Sequence, residues 1–147
     1  VSVLTVVVGP PCSGKTTYVQ AHAQDGDIVI DLDLIAQALG SPVTHGHADA
    51  ITRTAQAARR AAITTAIRQH HRGARVWIVE CDPSRQRRAE YHRAGARFVP
   101  MQASRAELHR RAADRPPHWH TLIDQQLARQ SPQTHDRDAR TTRTGRW

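Results

Sequence analysis

Val3-Leu4-Thr5-Val6-Val7-Val8-Gly9-Pro10-Pro11-Cys12-Ser13-Gly14-Lys15-Thr16-Thr17 joins an apolar, β-branched run to a glycine-bearing loop and the start of a helix. The run from Val3 to Val8 fits a strand buried on both faces, as in the middle of a parallel sheet. Gly9 ends it. From Gly9 onward the spacing is G-x-x-x-x-G-K-T, in which Gly14 lets the backbone come close to oxygen atoms. The successive amides around it form a concave, anion-favouring nest where a helix begins near Lys15. Lys15 would reach β- and γ-phosphates, and the Thr16 hydroxyl would be a magnesium ligand.

Lysine usage supports this reading. Lys15 is the only lysine among 147 residues, every other basic side chain being arginine. A chain that uses arginine elsewhere has kept a slim, flexible ammonium where a phosphate loop needs one. The implied ligand is a nucleoside triphosphate, ATP, with Mg2+. Its binding residues are Gly9, Pro10, Pro11, Cys12, Ser13, Gly14, Lys15, Thr16 and Thr17, with Thr16 on the metal. Cys12 reads as an inert small side chain, because transfer from a triphosphate needs no thiol.

After the loop the chain alternates helix and strand. Lys15 to about Ala23 reads as a helix, Ile28 to Ile30 as a second strand ending in Asp31-Leu32-Asp33, and Leu34 to Leu39 as a short helix closed by Gly40. Ser41 to Ala48 is a loop. Ile51, Ala55, Ala58, Ala62, Ile63, Ala66 and Ile67 recur at helical spacing and predict a long helix from Asp49 to His70. Val76 to Val79 is a third strand, Ser84 to Ala94 a helix, Arg97 to Val99 a fourth strand, and Ser104 to Asp114 another helix. Arg115-Pro116-Pro117 breaks that helix, and Trp119 to Arg129 resumes as the last one.

Strands separated by helices give an α/β fold, a three-layer α/β/α sandwich with a small, mostly parallel sheet of about four to five strands and a helical lid. Residues 1–130 form one domain, and 131–147 read as a flexible polar tail or linker. Ligands collect at the carboxyl ends of such strands, which makes Asp31, Asp33, Glu80 and Asp82 site candidates.

Composition narrows the class. Two cysteines, Cys12 and Cys81, are too few for a disulfide framework and point to a reduced, cytoplasmic setting. The apolar start is too short to span a membrane. Residues 1–50 set Lys15 against Asp25, Asp27, Asp31, Asp33 and Asp49, whereas residues 51–130 carry sixteen arginines and six acids. That basic second half suits a polyanionic partner such as nucleic acid, and equally a genome that favours arginine codons. Aromatic residues are too scattered for a base-stacking platform, so any nucleic-acid grip rests on arginine and phosphate. The histidine pairs His45 and His47, His70 and His71, and His118 and His120 read as loop or surface residues rather than a zinc site.

With these motifs the chain resembles the P-loop phosphotransferases related to phage polynucleotide 5′-kinase, which include zeta-toxin-like and small-metabolite kinases. The resemblance implies a phosphate loop at Gly9 to Thr16, a catalytic aspartate just past the second strand at Asp33, and lid arginines at Arg111 and Arg115. The implied catalytic set is Lys15, Asp33, Arg111 and Arg115. In phosphoryl transfer a carboxylate orients the acceptor hydroxyl and takes its proton late, while cations neutralise the moving phosphoryl group. Asp33 suits the first task, and capping a helix at Leu34 is its structural alternative. Asp31 is the weaker candidate, on the opposite side of an extended chain. Arg111 and Arg115, four apart, would share a helical face. Glu80 or Asp82 would orient magnesium through water, and Asp82 has helix capping as its alternative. Arg85, Arg87 and Arg88 contact an acceptor phosphate or face water. The phage enzymes carry an arginine three residues beyond the catalytic aspartate; this chain has Ala36 there.

Three readings follow: a kinase for a polynucleotide 5′-hydroxyl or nucleotide-like acceptor, a kinase for a small metabolite, and a regulatory or motor ATPase. Val76 to Asp82 fits the acidic strand end of the third only loosely. The oligomeric state is not fixed by the sequence.

Overall fold

A computed structural model describes residues 2–130; the tail or linker expected at 131–147 lies outside the described residues. The order of elements is β1 (Leu4–Val8), α1 (Lys15–His22), β2 (Ile28–Ile30), α2 (Leu32–Ala38), α3 (Asp49–His71), β3 (Val76–Glu80), α4 (Arg85–Arg93), β4 (Arg97–Pro100), α5 (Arg105–Arg111) and α6 (His118–Gln130). The strands form one parallel sheet in the order β2-β3-β1-β4. β1 is buried along its whole length, which is why its sequence is a continuous apolar run.

The pleat sends alternate residues of β1 and β3 to opposite faces. Leu4, Val6 and Val8 join Val76 and Ile78 on one face, where Ile63 and Ala66 of α3, Tyr91 of α4 and Ala94 just past its end cover them. On the other face, Val7 and Trp77 meet Val19 of α1. Three layers result, as the alternation of elements predicts. A third cluster joins α5 to α6 through Leu108, Ala112 and Ile123, and Cys12 of the loop after β1 packs against it. The α5–α6 hairpin therefore sits on the loop end of the sheet.

Local chemistry sets the helix starts. Ser84 accepts from the Arg87 amide at the head of α4, and Ser104 accepts from the Glu107 amide at the head of α5. These bonds satisfy donors that a first turn leaves unpaired. Asp31, not Asp33, caps α2, which starts at Leu32 rather than Leu34. Asp82 caps nothing in α4, since Ser84 does so. No helix among the described residues is long and apolar enough to cross a membrane.

Candidate active site at the phosphate loop

The loop after β1 has the backbone its sequence demands. Gly14 sits at φ +90°, and among the described residues Cys12 is the non-glycine residue with positive φ, at +65°. Left-handed residues alternating with right-handed ones turn successive amides inward. Gly14 precedes α1 with no side-chain cap, so the first amides of that helix face the loop. Gly9 is fixed by contact: a Cβ there would stand 2.7 Å from Ser13 Oγ and 2.8 Å from Met101 O. Lys15 is buried and donates to Gly9 O at 2.9 Å and to Pro10 O at 2.7 Å, which arches its ammonium over the loop. Ser13 Oγ is buried without a hydrogen-bond partner.

Asp31 ties the loop to β2. Its carboxylate is buried, accepts from Thr16 Oγ1 at 2.6 Å through Oδ2, and accepts from the Asp33 amide at 2.9 Å through Oδ1. Asp31 is therefore not turned away from the site as its alternation with Asp33 predicts. The strand ends at Ile30, and the helix start redirects its carboxylate toward Thr16. Asp33 lies in the first turn of α2, half-buried, and its oxygens meet His45 Nδ1 at 2.9 Å and His47 Nε2 at 2.8 Å. The two histidines are loop residues, as their sequence setting predicts, but their contact with Asp33 is not one it predicts. The available signal was a pair of imidazoles in the loop next to an acidic helix start.

The two arginines expected to share a helical face separate. Arg111 ends α5, pairs with Glu107 and donates through Nη1 to Cys12 O at 3.1 Å, which puts it against the phosphate loop. Arg115 does not share its helical face, because α5 stops at Arg111 and a turn leads into Pro116-Pro117. A residue before proline is biased away from helix. Its guanidinium stands 5.7 Å from the Trp119 ring, and its Nε is buried without a partner.

Glu80 is the last residue of β3 rather than a loop residue. Its carboxylate accepts from Tyr91 Oη at 2.6 Å and pairs with Arg59 at 3.1 Å, so it is engaged under the sheet end. Burial and the Glu80 charge push the Tyr91 hydroxyl well above the ordinary phenol range, which keeps it a donor. Asp82 pairs with Arg129 at 2.8 Å. Arg87 pairs with Glu90, and Arg88 lies over Phe98 and lines an open cavity of about 260 Å3 beside Gly9, Met101 and Gln102. Arg85 is exposed.

Residues 4–59 match the family model described as an AAA domain. The match and the parallel sheet behind the phosphate loop are those of a P-loop NTPase-type fold. The match spans the phosphate loop, Asp31, Asp33 and the loop bearing His45 and His47, and ends within α3. No curated protein matches the chain. The P-loop also fits its implied ligands. An uncapped helix start, a left-handed glycine and an orphaned Ser13 hydroxyl suit a phosphate chain. The Thr16 hydroxyl beside the Asp31 carboxylate offers the oxygen chemistry that magnesium takes when phosphates complete its shell.

Proposed function

We propose that this chain is an ATP-dependent phosphotransferase that moves the γ-phosphoryl group to a hydroxyl, with a polynucleotide 5′-end or nucleotide-like molecule as acceptor. The observation that carries the reading is the Asp31 bridge. One of its oxygens takes the Thr16 hydroxyl of the phosphate loop and the other takes the amide of Asp33, so both belong to one hydrogen-bonded unit.

The roles follow from the chemistry. The loop amides from Gly9 to Thr17 and the Lys15 ammonium hold the β- and γ-phosphates. Thr16 presents its hydroxyl to Mg2+, and Asp31 orients that hydroxyl. Bound with the triphosphate, magnesium neutralises charge that develops during transfer. Asp33 orients the acceptor hydroxyl and takes its proton late. Arg111, against Cys12, and Arg115, with a free Nε, supply positive charge from the α5–α6 side.

A second reading, a kinase for a small-molecule hydroxyl, is favoured by Ala36. The position that holds an acceptor-reading arginine in phage polynucleotide kinases is here fully buried. A polymer's phosphate must then be read by other arginines, or not at all.

The test is labelled ATP with 5′-hydroxyl oligonucleotides, nucleosides and a metabolite panel, comparing the native chain with Lys15→Ala and Asp33→Asn. Transfer to at least one acceptor, lost in both variants, supports the reading. Full transfer by Asp33→Asn removes Asp33 from the role of base. Salt-sensitive binding of oligonucleotides separates the polymer acceptor from the small one.

A further inference from the structure

Asp33 has no capping duty, because Asp31 caps α2. Its carboxylate is nonetheless held at two points by one loop. His45 Nδ1 stands 2.9 Å from Oδ2, and His47 Nε2 stands 2.8 Å from Oδ1. The His47 side chain is only 5% exposed. Its far nitrogen, Nδ1, lies 2.6 Å from Ser41 Oγ, itself in a buried residue.

An ionised carboxylate only accepts, so both nitrogens that face it must carry hydrogen. In their neutral forms His45 is then the Nδ1–H tautomer and His47 the Nε2–H tautomer, with His47 Nδ1 accepting from the Ser41 hydroxyl. The loop is anchored on its other side as well. The His45 ring meets Trp119 edge-on at 5.4 Å, and a Cβ on Gly46 would lie 3.1 Å from Pro116 Cγ.

We infer that His45 and His47 are positioning residues, a two-point clamp that fixes the rotamer and plane of the Asp33 carboxylate and ties it through Trp119 to the α5–α6 hairpin. The inference rests on Asp33 being the base proposed above. Two bonds occupy about half of the lone-pair positions of a carboxylate and leave the rest for an acceptor hydroxyl. In the transfer step the acceptor oxygen bonds to the γ-phosphorus and its proton passes to Asp33. The bond from the γ-phosphorus to the β,γ-bridging oxygen breaks, and ADP leaves with the electron pair. A freely rotating carboxylate would be in place for only part of the time.

The clamp makes a reciprocal prediction, because the two histidines use different nitrogens. An asparagine amide overlies imidazole Nδ1, and a glutamine amide overlies Nε2. His45→Asn and His47→Gln therefore keep the donor to Asp33. His45→Gln and His47→Asn lose it, and their kcat should fall by about ten- to a hundredfold while KM for ATP holds.

A spectroscopic arm does not depend on turnover. Nitrogen-15 multiple-bond correlation spectra of the full chain at pH 8, above the ordinary imidazole range, should show His45 as Nδ1–H and His47 as Nε2–H. In Asp33→Ala, His45 should revert to the Nε2–H form usual for a free imidazole. Wild-type His45 in the Nε2–H form overturns the clamp, as does His47→Asn turning over like wild type. If the native chain phosphorylates no acceptor while the tautomers are as assigned, the transfer reading fails and the clamp stands.

Discussion

Thr16 Oγ1 donates to Asp31 Oδ2 across 2.6 Å, a bond that joins the first turn of α1 to the head of α2. The same carboxylate caps α2. Asp31→Ala should lose both contacts and destabilise the chain by about 1–3 kcal/mol in urea unfolding. Asp31→Asn keeps the capping oxygen and should stay within about 1 kcal/mol of wild type. Both should weaken MgATP binding, since neither retains a charged acceptor for the Thr16 hydroxyl.

Glu80 separates a structural carboxylate from one that serves magnesium. It is bonded to Tyr91 and paired with Arg59, whose side chain is 17% exposed. Glu80→Gln leaves that guanidinium poorly compensated and should cost about 1–3 kcal/mol, less than a fully buried pair because water reaches it. MgATP affinity should stay within about twofold. A large loss of affinity at unchanged melting temperature would instead assign Glu80 to magnesium.

Strong acid should loosen the α5–α6 hairpin. Hydrogen bonds from Arg105 and then His109 hold the Asp124 carboxyl down at about 2, and the Asp27 carboxyl is lowered by bonds from the Gln24 amide and Trp77 Nε1. A carboxylate lowered in the folded state contributes stability above its unfolded pKa and loses it as pH falls through the folded one. For Asp124 that window runs from about pH 4 down to about pH 2. Asp124→Asn should flatten the pH dependence of unfolding there and lower stability at neutral pH toward its acid value, as measured by circular dichroism across a pH series.

Gly9→Ala tests the cradle by steric means. The new Cβ would meet Ser13 Oγ at 2.7 Å and the backbone oxygen of Met101 at 2.8 Å, and the second of these cannot swing away. The variant should lose about 1–3 kcal/mol of stability and most of its nucleotide binding. Calorimetry and thermal melting check the two effects.

Much of the fold was legible because its signals are local. The β-branched run before Gly9, the alanine-rich face of α3 and the Pro116-Pro117 break each act within a few residues, and the elements lie close to their predicted bounds. The phosphate loop was legible for the same reason. What failed depended on direction rather than type. Alternation along β2 cannot say that the chain turns into α2 after Ile30, and that turn is what aims Asp31 at Thr16. The spacing of Arg111 and Arg115 assumed a helix that stops at Arg111. His45 and His47 gave no periodic signal, because a loop brings them to Asp33 across 12 and 14 residues of sequence.

The central claim is that the loop from Gly9 to Thr17 grips the terminal phosphates of a magnesium-bound nucleotide. The direct measurement is titration calorimetry of MgATP into the folded chain and into Lys15→Ala. Saturable uptake near one nucleotide per chain, lost or weakened at least about tenfold in Lys15→Ala, is the result predicted. No heat of binding to folded native protein, or equal affinity in the variant, would contradict it.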